Sequence, residues 1–182
     1  TTFGESHGVA LGAIVDGVPA GIELSEEDIQ KFLDRRKPGQ STVTTSRNEN
    51  DKCRIYSGVF GGKTTGTPIM VMLENQSQRS QDYDELAITY RPGHADFSFD
   101  SKFGFRDYRG GGRSSGRETI GRVIGGAIAI KALEMLGIKV QAFTQSIGNI
   151  YAENFNLEEC SENDVYMPDN EAAAKAVELI KR

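Results

Sequence analysis

Apolar residues along the chain alternate or cluster in several short stretches that predict strands. Residues 9–15 form an apolar run that is closed by a turn, which is typical of a buried strand. Residues 54–60 and 68–73 have the composition of an antiparallel pair joined by a glycine-rich turn at 61–66. Residues 138–143 alternate between apolar and polar side chains and predict a further strand.

Three other segments have the spacing and the end signals of helices. Ser25 is a suitable N-cap for a first helix with an acidic first turn and a basic last turn. A second helix is predicted to begin at Ser115, since Ser115 and Glu118 match a capping box, and to end at Gly137. A third is expected from about Asn170 towards the end of the chain.

Separate long helices and strands in apparent hairpins favour an α+β layered structure over a doubly wound sheet. Gly121, Gly125 and Gly126 lower the helix propensity of the second helix, so we expect another element to pack closely there. The 182 residues contain no internal repeat and no linker, which predicts a single domain over residues 1–182.

Composition argues against several classes of function. The chain is acidic, with a formal net charge of −5, which disfavours a dedicated nucleic-acid binder. It has no apolar run of the roughly 18 residues that a membrane helix needs. Cys53 and Cys160 lie far apart and are expected to be free thiols in a reducing cytoplasm. We therefore expect a cytoplasmic protein without a nucleic-acid or membrane partner.

Six basic residues lie within residues 102–122, around a glycine-rich segment. Residues 110–119 read GGGRSSGRET, in which glycines allow close backbone approach and a helix start favours anions. Arg113 and Arg117 add positive charge, while Ser114 and Ser115 add hydroxyl donors. The pattern differs from GxGxxG, so a Rossmann site is disfavoured. A small anion is the favoured ligand, and a flexible loop before a well-capped helix is the alternative.

Both histidines lie in loops of small and polar residues. His7 follows Ser6 in GESHG, and His94 lies near Arg91 in RPGHAD. An imidazole exchanges protons near neutral pH, so either side chain is a candidate for acid–base chemistry on an anion. A structural role in its loop is the alternative for each histidine. Zinc is disfavoured because the chain lacks a typical ligand set, and the serine-hydrolase elbow is absent.

Four further arginines are candidates for binding an anionic substrate: Arg35, Arg36, Arg47 and Arg79. For Arg35 and Arg36, the alternative is that they only form the basic end of the first helix.

Three long motifs, TTFGESHG, RPGHAD and DYRGGGRSSGRET, closely resemble the chorismate synthase family. The resemblance extends through VDGVPAGI, LDRRKPG, SGVFGGKTTGTPI and NQSQRSQDY, and covers about the first 150 residues. It implies a layered sandwich of antiparallel sheets and helices, and typically a homotetramer. Because family members are about twice as long, the chain is expected to be the N-terminal portion of a larger protein.

The resemblance implies a carbon–oxygen lyase of the shikimate pathway to aromatic amino acids (EC 4.2.3.5). Such an enzyme converts 5-enolpyruvylshikimate 3-phosphate to chorismate and phosphate by an anti-1,4-elimination. The reaction requires reduced FMN, for which NADPH is one source of electrons. The alternative is a catalytically incomplete fragment that binds an anion or flavin, or serves assembly, since the family's C-terminal half supplies further flavin contacts.

The resemblance also implies roles for particular residues. His7 is expected to protonate the leaving phosphate, and His94 to protonate the reduced flavin near N1. The implied cofactor contacts are Arg36, Arg113, Ser114 and Ser115. The implied substrate contacts are Ser6, Arg36, Arg47, Arg91 and Arg117. Thr42 stands where many relatives have arginine, and Arg47 is a candidate to compensate.

Overall fold

The computed structural model describes residues 1–39, 51–75 and 86–182. Their contacts divide into two units, one formed by residues 1–37 and 51–138 and one formed mainly by residues 139–182. The strands are β1 (Thr2–Phe3), β2 (Ala10–Val15), β3 (Cys53–Ile55), β4 (Val59–Phe60), β5 (Lys63–Thr64), β6 (Ile69–Glu74), β7 (Ser146–Ile147) and β8 (Ile150–Tyr151). The α-helices are α1 (Glu26–Arg36), α2 (Asp96–Phe103), α3 (Thr119–Glu134) and α4 (Asn170–Ile180).

An antiparallel sheet with the strand order β1-β2-β6-β3 forms the centre of the first unit. The central strands pair over their whole length, with Ala13 opposite Val71. Cys53 on β3 lies opposite Leu73 on the other side of β6. The predicted buried strand is therefore confirmed. The predicted antiparallel pairing of residues 54–60 with 68–73 is confirmed for Arg54 and Ile55, which lie opposite Met72 and Val71.

Helices α1 and α3 pack against this sheet and complete its hydrophobic core. Along β6 the buried residues alternate, and Ile69, Val71 and Leu73 are each at most 1% exposed. Their neighbours in the core include Ile29 and Leu33 of α1, together with residues of α3. A sheet covered by separate helices is the predicted α+β architecture.

Helix α1 begins as its sequence predicts. Ser25 Oγ accepts a hydrogen bond from the backbone N–H of Asp28 at 3.2 Å, and Asp28 Oδ2 accepts one from the N–H of Ser25 at 3.0 Å. Lys131 of α3 donates to the other carboxylate oxygen of Asp28 at 3.1 Å. The capping box therefore also joins α1 to α3.

Gly121 confirms the prediction that a glycine of α3 permits close packing. A Cβ atom at this position would lie 2.5 Å from Thr2 Cγ2 and 3.2 Å from the carbonyl oxygen of Gly12, so α3 lies directly on β1 and β2. At Gly125 and Gly126 a Cβ would meet no atom of the described residues within 4 Å. The close packing is therefore specific to Gly121.

The predicted start of α3 at Ser115 is wrong. Two 3₁₀ helices, Arg109–Ser114 and Gly116–Glu118, precede α3, and Ser115 Oγ caps the second by accepting from the N–H of Arg117. Glu118 does not complete a capping box, because its carboxylate accepts a 2.6 Å hydrogen bond from Thr2 Oγ1. The Glu118 side chain therefore makes a tertiary contact with Thr2 instead of the local capping hydrogen bond that the sequence predicted.

Two strand predictions are also wrong. Residues 138–143 form no strand, and Val140 is 61% exposed. Alternation predicts a strand only where a neighbouring strand pairs with it. The segment 54–60 is split, since β4 pairs with β5 in the turn region instead of continuing β3. Helix α2 (Asp96–Phe103) lies in a part of the chain for which no helix was predicted.

The second unit contains the β7–β8 hairpin and α4, whose predicted position is confirmed. Asp169 caps α4 by accepting from the N–H of Ala172 at 3.0 Å. Ala176 of the helix and Met167 before it are fully buried. Cys53 and Cys160 are free thiols, as expected. None of the helices in the described ranges is both long and apolar enough to cross a membrane.

Candidate active site

A cavity of about 240 Å³ brings the three sequence motifs together in the first unit. The His7 loop contributes Glu5, and the start of α2, next to His94, contributes Ala95 and Asp96. The glycine–arginine segment contributes Gly111, Arg113 and Ser114, and the other lining residues are Phe99, Phe105, Arg106 and Asp107. Segments that are about 90 residues apart in the sequence therefore line one concave surface.

The loop that carries His7 is short and well anchored. Ser6 is buried, and its hydroxyl lies 3.2 Å from His7 Nδ1. The N–H of Gly8 donates to the carbonyl oxygen of Glu5 at 3.0 Å, which closes the loop. A histidine ring with one nitrogen held by a hydroxyl keeps a fixed orientation and can exchange a proton through the other.

Gly4 places this loop directly against β2. Its φ of +86° lies in the left-handed region, and a Cβ here would lie only 2.0 Å from the carbonyl oxygen of Ala10. The carbonyl oxygen of Gly4 accepts a 2.8 Å hydrogen bond from Arg113 Nη1. A larger residue at position 4 would therefore displace both the His7 loop and its contact with Arg113.

His94 is exposed, and its ring lies on the backbone of Gly111. A Cβ at Gly111, where φ is +90°, would lie 3.2 Å from His94 Cδ2 and 3.5 Å from Nε2. The N–H of His94 donates to the carbonyl oxygen of Arg91, which forms a turn before α2. The glycine run therefore provides the surface on which the second candidate histidine rests.

The structure places Arg113 at a junction between the motifs. Its Nη2 atom lies 2.7 Å from Thr2 Oγ1 and 2.8 Å from Glu118 Oε1, in addition to the bond from Nη1 to Gly4. The guanidinium thereby ties β1 and the His7 loop to the start of α3. Its side chain is still 29% exposed at the cavity.

The two serines of the glycine–arginine segment have different partners. Ser114 Oγ donates to the carbonyl oxygen of Gly111 at 2.7 Å and lines the cavity, whereas Ser115 Oγ caps the 3₁₀ helix Gly116–Glu118. The backbone at Ser115 is extended and separates the two 3₁₀ helices. As a result, Arg113 contacts Gly4 and Glu118, whereas Arg117 contacts Asp51.

Arg36 and Arg117 meet at one buried carboxylate. Asp51 Oδ2 accepts from Arg36 Nη2 at 2.7 Å, and Asp51 Oδ1 accepts from Arg117 Nη2 at 2.7 Å. The Asp51 side chain is 1% exposed, while the two guanidiniums are 16% and 13% exposed. Two guanidiniums therefore meet at one buried carboxylate, and guanidinium groups are suited to binding an anionic ligand.

Arg91 is held by Asp96 rather than projecting without a partner. Its Nε and Nη2 atoms donate to the two carboxylate oxygens at 2.9 and 2.8 Å, and its backbone N–H donates to Oδ2 as well. These hydrogen bonds hold the pKa of Asp96 well below its usual range. The pair fixes the turn that carries His94.

Asp107 is a further acidic residue at the cavity. The side chain of Arg109 donates to its carboxylate at 2.9 Å and lowers the pKa of that carboxyl, and the charge of His7 contributes a smaller lowering. Asp107 therefore lies within electrostatic range of His7. It belongs to the matched motif DYRGGGRSSGRET but was not chosen as a candidate.

Arg106 is the cation that sequence reasoning missed at the cavity. It is 8% exposed, pairs with Asp100 at 3.0 Å and donates to the carbonyl oxygens of Leu86 and Thr89. It therefore holds residues 86–89 beside α2. The only sequence feature that pointed to Arg106 was the group of six basic residues within 102–122. Composition alone does not distinguish Arg106 from the other five.

Asn75 and Asp51 are the remaining residues that the sequence reasoning missed. Asn75 directly follows the apolar strand β6, and a polar side chain at the end of a buried strand is a usable signal. Asp51 lies in a polar stretch in which no pattern distinguishes it. Arg47, Thr42 and Arg79 lie outside the described residues.

Known proteins share the sequence and the fold of this chain. The family model described as chorismate synthase matches residues 1–182. The chain belongs to the chorismate synthase family. It is 63% identical over 182 residues to the chorismate synthase of Agathobacter rectalis, covering 99% of this chain and 50% of that protein. It is 60% identical over 177 residues to that of Lachnospira eligens, covering 96% and 48%.

A solved structure described as a crystal structure of chorismate synthase has the same fold. It superimposes with a TM-score of 0.75 at 31% identity, and the match covers 100% of this chain and 51% of that one. The expected fold class is therefore confirmed. The chain spans about half the length of the chorismate synthases it matches.

Proposed function

We propose that this chain supplies the N-terminal part of a chorismate synthase, which eliminates phosphate from 5-enolpyruvylshikimate 3-phosphate. The observation that carries the proposal is the meeting of the His7 loop, the His94 turn and the glycine–arginine segment at one cavity. The reaction loses a phosphate group and a ring hydrogen, so it needs cationic groups for the anion and a proton donor for the leaving oxygen.

Arg36 and Arg117 are the proposed contacts to the acidic groups of the substrate. They lie on either side of Asp51 and are partly exposed. Guanidiniums bind carboxylate and phosphate oxygens in pairs, and partial burial strengthens such bonds. Ser6 in the His7 loop and Arg91 in the His94 turn are also proposed to contact the substrate. Arg47 is proposed as a further substrate contact and lies outside the described residues.

His7 is the proposed proton donor to the leaving phosphate. Its ring is held at Nδ1 by Ser6, so Nε2 is the nitrogen that exchanges the proton. His94, on the surface of Gly111, is the proposed proton donor towards N1 of the flavin. In both cases a loop with a fixed backbone holds the imidazole, which limits the loss of entropy on reaching a reactive geometry.

Reduced FMN, when bound, supplies electron density for the departure of phosphate. The residues at the cavity fit one part of such a cofactor. They combine the rings of Phe99 and Phe105 with the hydroxyl of Ser114 and the guanidinium of Arg113. The volume of about 240 Å³ is smaller than the roughly 300–1,000 Å³ of usual cofactor pockets, so Arg113, Ser114, Ser115 and Arg36 would form only part of the site.

The oligomeric state, the location and the reductant also belong to the proposal. We assign a homotetramer in the cytoplasm, with NADPH as a source of electrons for FMN and no nucleic-acid or membrane partner. The support is the family membership, from which these properties are expected. The competing function is a fragment that binds anion or flavin without turnover, which the small cavity favours.

The deciding experiment is an anaerobic assay of the full-length protein that carries this sequence. Purified protein is mixed with reduced FMN and 5-enolpyruvylshikimate 3-phosphate, and chorismate and phosphate are measured together. The proposal predicts equal amounts of both products and no reaction without FMN. Flavin binding without product would support the competing function, and phosphate release without chorismate would contradict the elimination.

A further inference from the structure

We propose that Asp51 and Asn75 are positioning residues that connect the anion-binding arginines to the loop of His7. Asp51 fixes the distance between Arg36 and Arg117, and Asn75 joins Arg117 to the carbonyl groups of the His7 loop. The inference rests on the proposed function, because that function gives Arg36 and Arg117 an anionic ligand and gives His7 a proton to transfer.

Asp51 holds two guanidiniums together that would otherwise repel each other. Arg36 reaches Oδ2 at 2.7 Å, and Arg117 reaches Oδ1 at 2.7 Å and Oδ2 at 3.3 Å. The side chain is 1% exposed, so it cannot turn towards water without opening the network. A shared buried carboxylate therefore defines where both cations stand before a ligand arrives.

The backbone of Asp51 is itself fixed to α1. Gln30 Nε2 donates to the carbonyl oxygen of Asp51 at 2.8 Å, and Gln30 Oε1 accepts from the N–H of Cys53 at 3.0 Å. Arg36 lies on the same helix. The carboxylate and one of its two cations are therefore held by a single rigid element.

Asn75 connects this cluster to the His7 loop through both ends of its amide. Its Oδ1 accepts from Arg117 Nε at 3.0 Å, while Nδ2 donates to the carbonyl oxygens of Gly8 at 2.8 Å and Glu5 at 3.3 Å. Because an arginine only donates and a carbonyl only accepts, the orientation of the amide is determined. Its backbone N–H also donates to Val9 at 3.0 Å.

The network therefore runs from Arg36 through Asp51, Arg117 and Asn75 to the two carbonyl groups that flank His7. Reaction rates depend strongly on the placement of a catalytic group relative to the bound substrate. The two ends of this network therefore have two separately measurable effects. Removing the Asp51 charge affects binding of the anion. Removing the Asn75 donors affects the proton transfer by His7.

The first variant is Asp51→Asn, which keeps the shape of the side chain and removes its charge. We expect a KM for 5-enolpyruvylshikimate 3-phosphate that is about tenfold higher or more, with kcat within about threefold of the parent. The control is Asp16→Asn, at an exposed position directly after β2. A folded Asp51→Asn protein with an unchanged or lower KM would overturn the role of Asp51.

The second variant is Asn75→Asp, which keeps an acceptor for Arg117 and loses the two donors to the loop. We expect kcat to fall about tenfold, KM to change less than about threefold, and the pH profile of kcat to move to higher pH, because a negative charge then lies near His7. Asn149→Asp, in the exposed turn between β7 and β8, is the control. An unchanged kcat and pH profile would overturn the role of Asn75.

Two measurements without turnover separate this inference from the proposed function. Calorimetry gives the Kd of inorganic phosphate, and NMR gives the titration of the His7 ring, in parent and variant proteins. A parent that forms no chorismate contradicts the proposed function alone. The positioning roles then stand if Asp51→Asn weakens phosphate binding about tenfold and Asn75→Asp shifts the His7 titration, and they fall if both stay unchanged.

Discussion

At Gly111 the backbone φ is +90°, and a Cβ would lie 3.2 Å from Cδ2 of His94. Gly111→Ala is therefore expected to lower the rate about tenfold or more, because a shift of the imidazole by a fraction of an ångström is costly in a positioned catalyst. Gly17→Ala is the matched control, since Gly17 has a φ of +78° and open space around it. Steady-state kinetics and thermal unfolding of both variants are the measurements.

Both substitutions carry the backbone cost of about 1–2 kcal/mol for a left-handed residue with a side chain. We therefore expect similar losses of stability and a loss of activity in Gly111→Ala alone. Equal activity of the two variants would show that the contact between Gly111 and His94 does not position the ring.

The ion pair of Arg91 and Asp96 makes stability depend on pH. Hydrogen bonds from Arg91 lower the pKa of Asp96, so its contribution is present above the unfolded value of about 3.9 and is lost as the pH falls through the folded value. Asp96→Asn should lower the free energy of unfolding by roughly 1.5–3 kcal/mol at pH 7. The difference from the parent should narrow below about pH 4.

Urea unfolding of the parent and of Asp96→Asn between pH 7 and pH 3 measures this difference. Asp164→Asn, at an exposed position of the second unit, is the control and should leave the free energy of unfolding nearly unchanged. A difference between parent and Asp96→Asn that does not vary with pH would contradict the electrostatic origin of the effect.

Single residues were predictable from sequence where their chemistry is local. Ser25 caps α1 as its neighbours predict. Glu118 does not cap α3, because its carboxylate accepts a hydrogen bond from Thr2 and pairs with Arg113. Thr2 lies 116 residues away in the sequence, so no local pattern could indicate this contact. Asp51 gave no signal, since its importance arises from two arginines that only the fold brings to it.

Helix α3 allows the packing argument to be tested at the scale of an element. Gly121→Ala is expected to destabilise by about 1–3 kcal/mol, because its Cβ would overlap Thr2 at 2.5 Å. Gly126→Ala is the matched variant on the exposed side of the same helix, and it should stabilise by about 0.5–1 kcal/mol through the higher helix propensity of alanine. The free energy of unfolding of each variant is the measurement.

Opposite signs for the two substitutions are the expected result. Two stabilising substitutions would contradict the close approach of α3 to β1, and two destabilising ones would show that the face of Gly126 is also covered.

Elements were predictable where burial and end signals coincide, as in β2, β6, α1 and α4. The prediction of a strand at 138–143 is wrong because no described strand pairs with it, and pairing is not visible in a single segment. Helix α2 was missed because its eight residues lack a periodic apolar face, and the helix buries only Asp96.

For the whole molecule, the family was evident from three motifs and the fold class from the spacing of its elements. The cavity itself was not predictable, since it depends on how the His7 loop, α2 and the glycine–arginine segment meet in space. The chain spans about half the length of its relatives, so the proposed flavin site is expected to include residues outside it.

The rate of phosphate release by His7→Ala, His94→Ala and the double variant of the full-length protein tests the central claim most directly. Each single substitution should lower the rate about 10²–10⁴-fold with folding intact, because each removes an acid–base group. If the two histidines act in one site, the double variant should lose much less than the product of the single losses. A near-normal rate in either single variant would contradict the account.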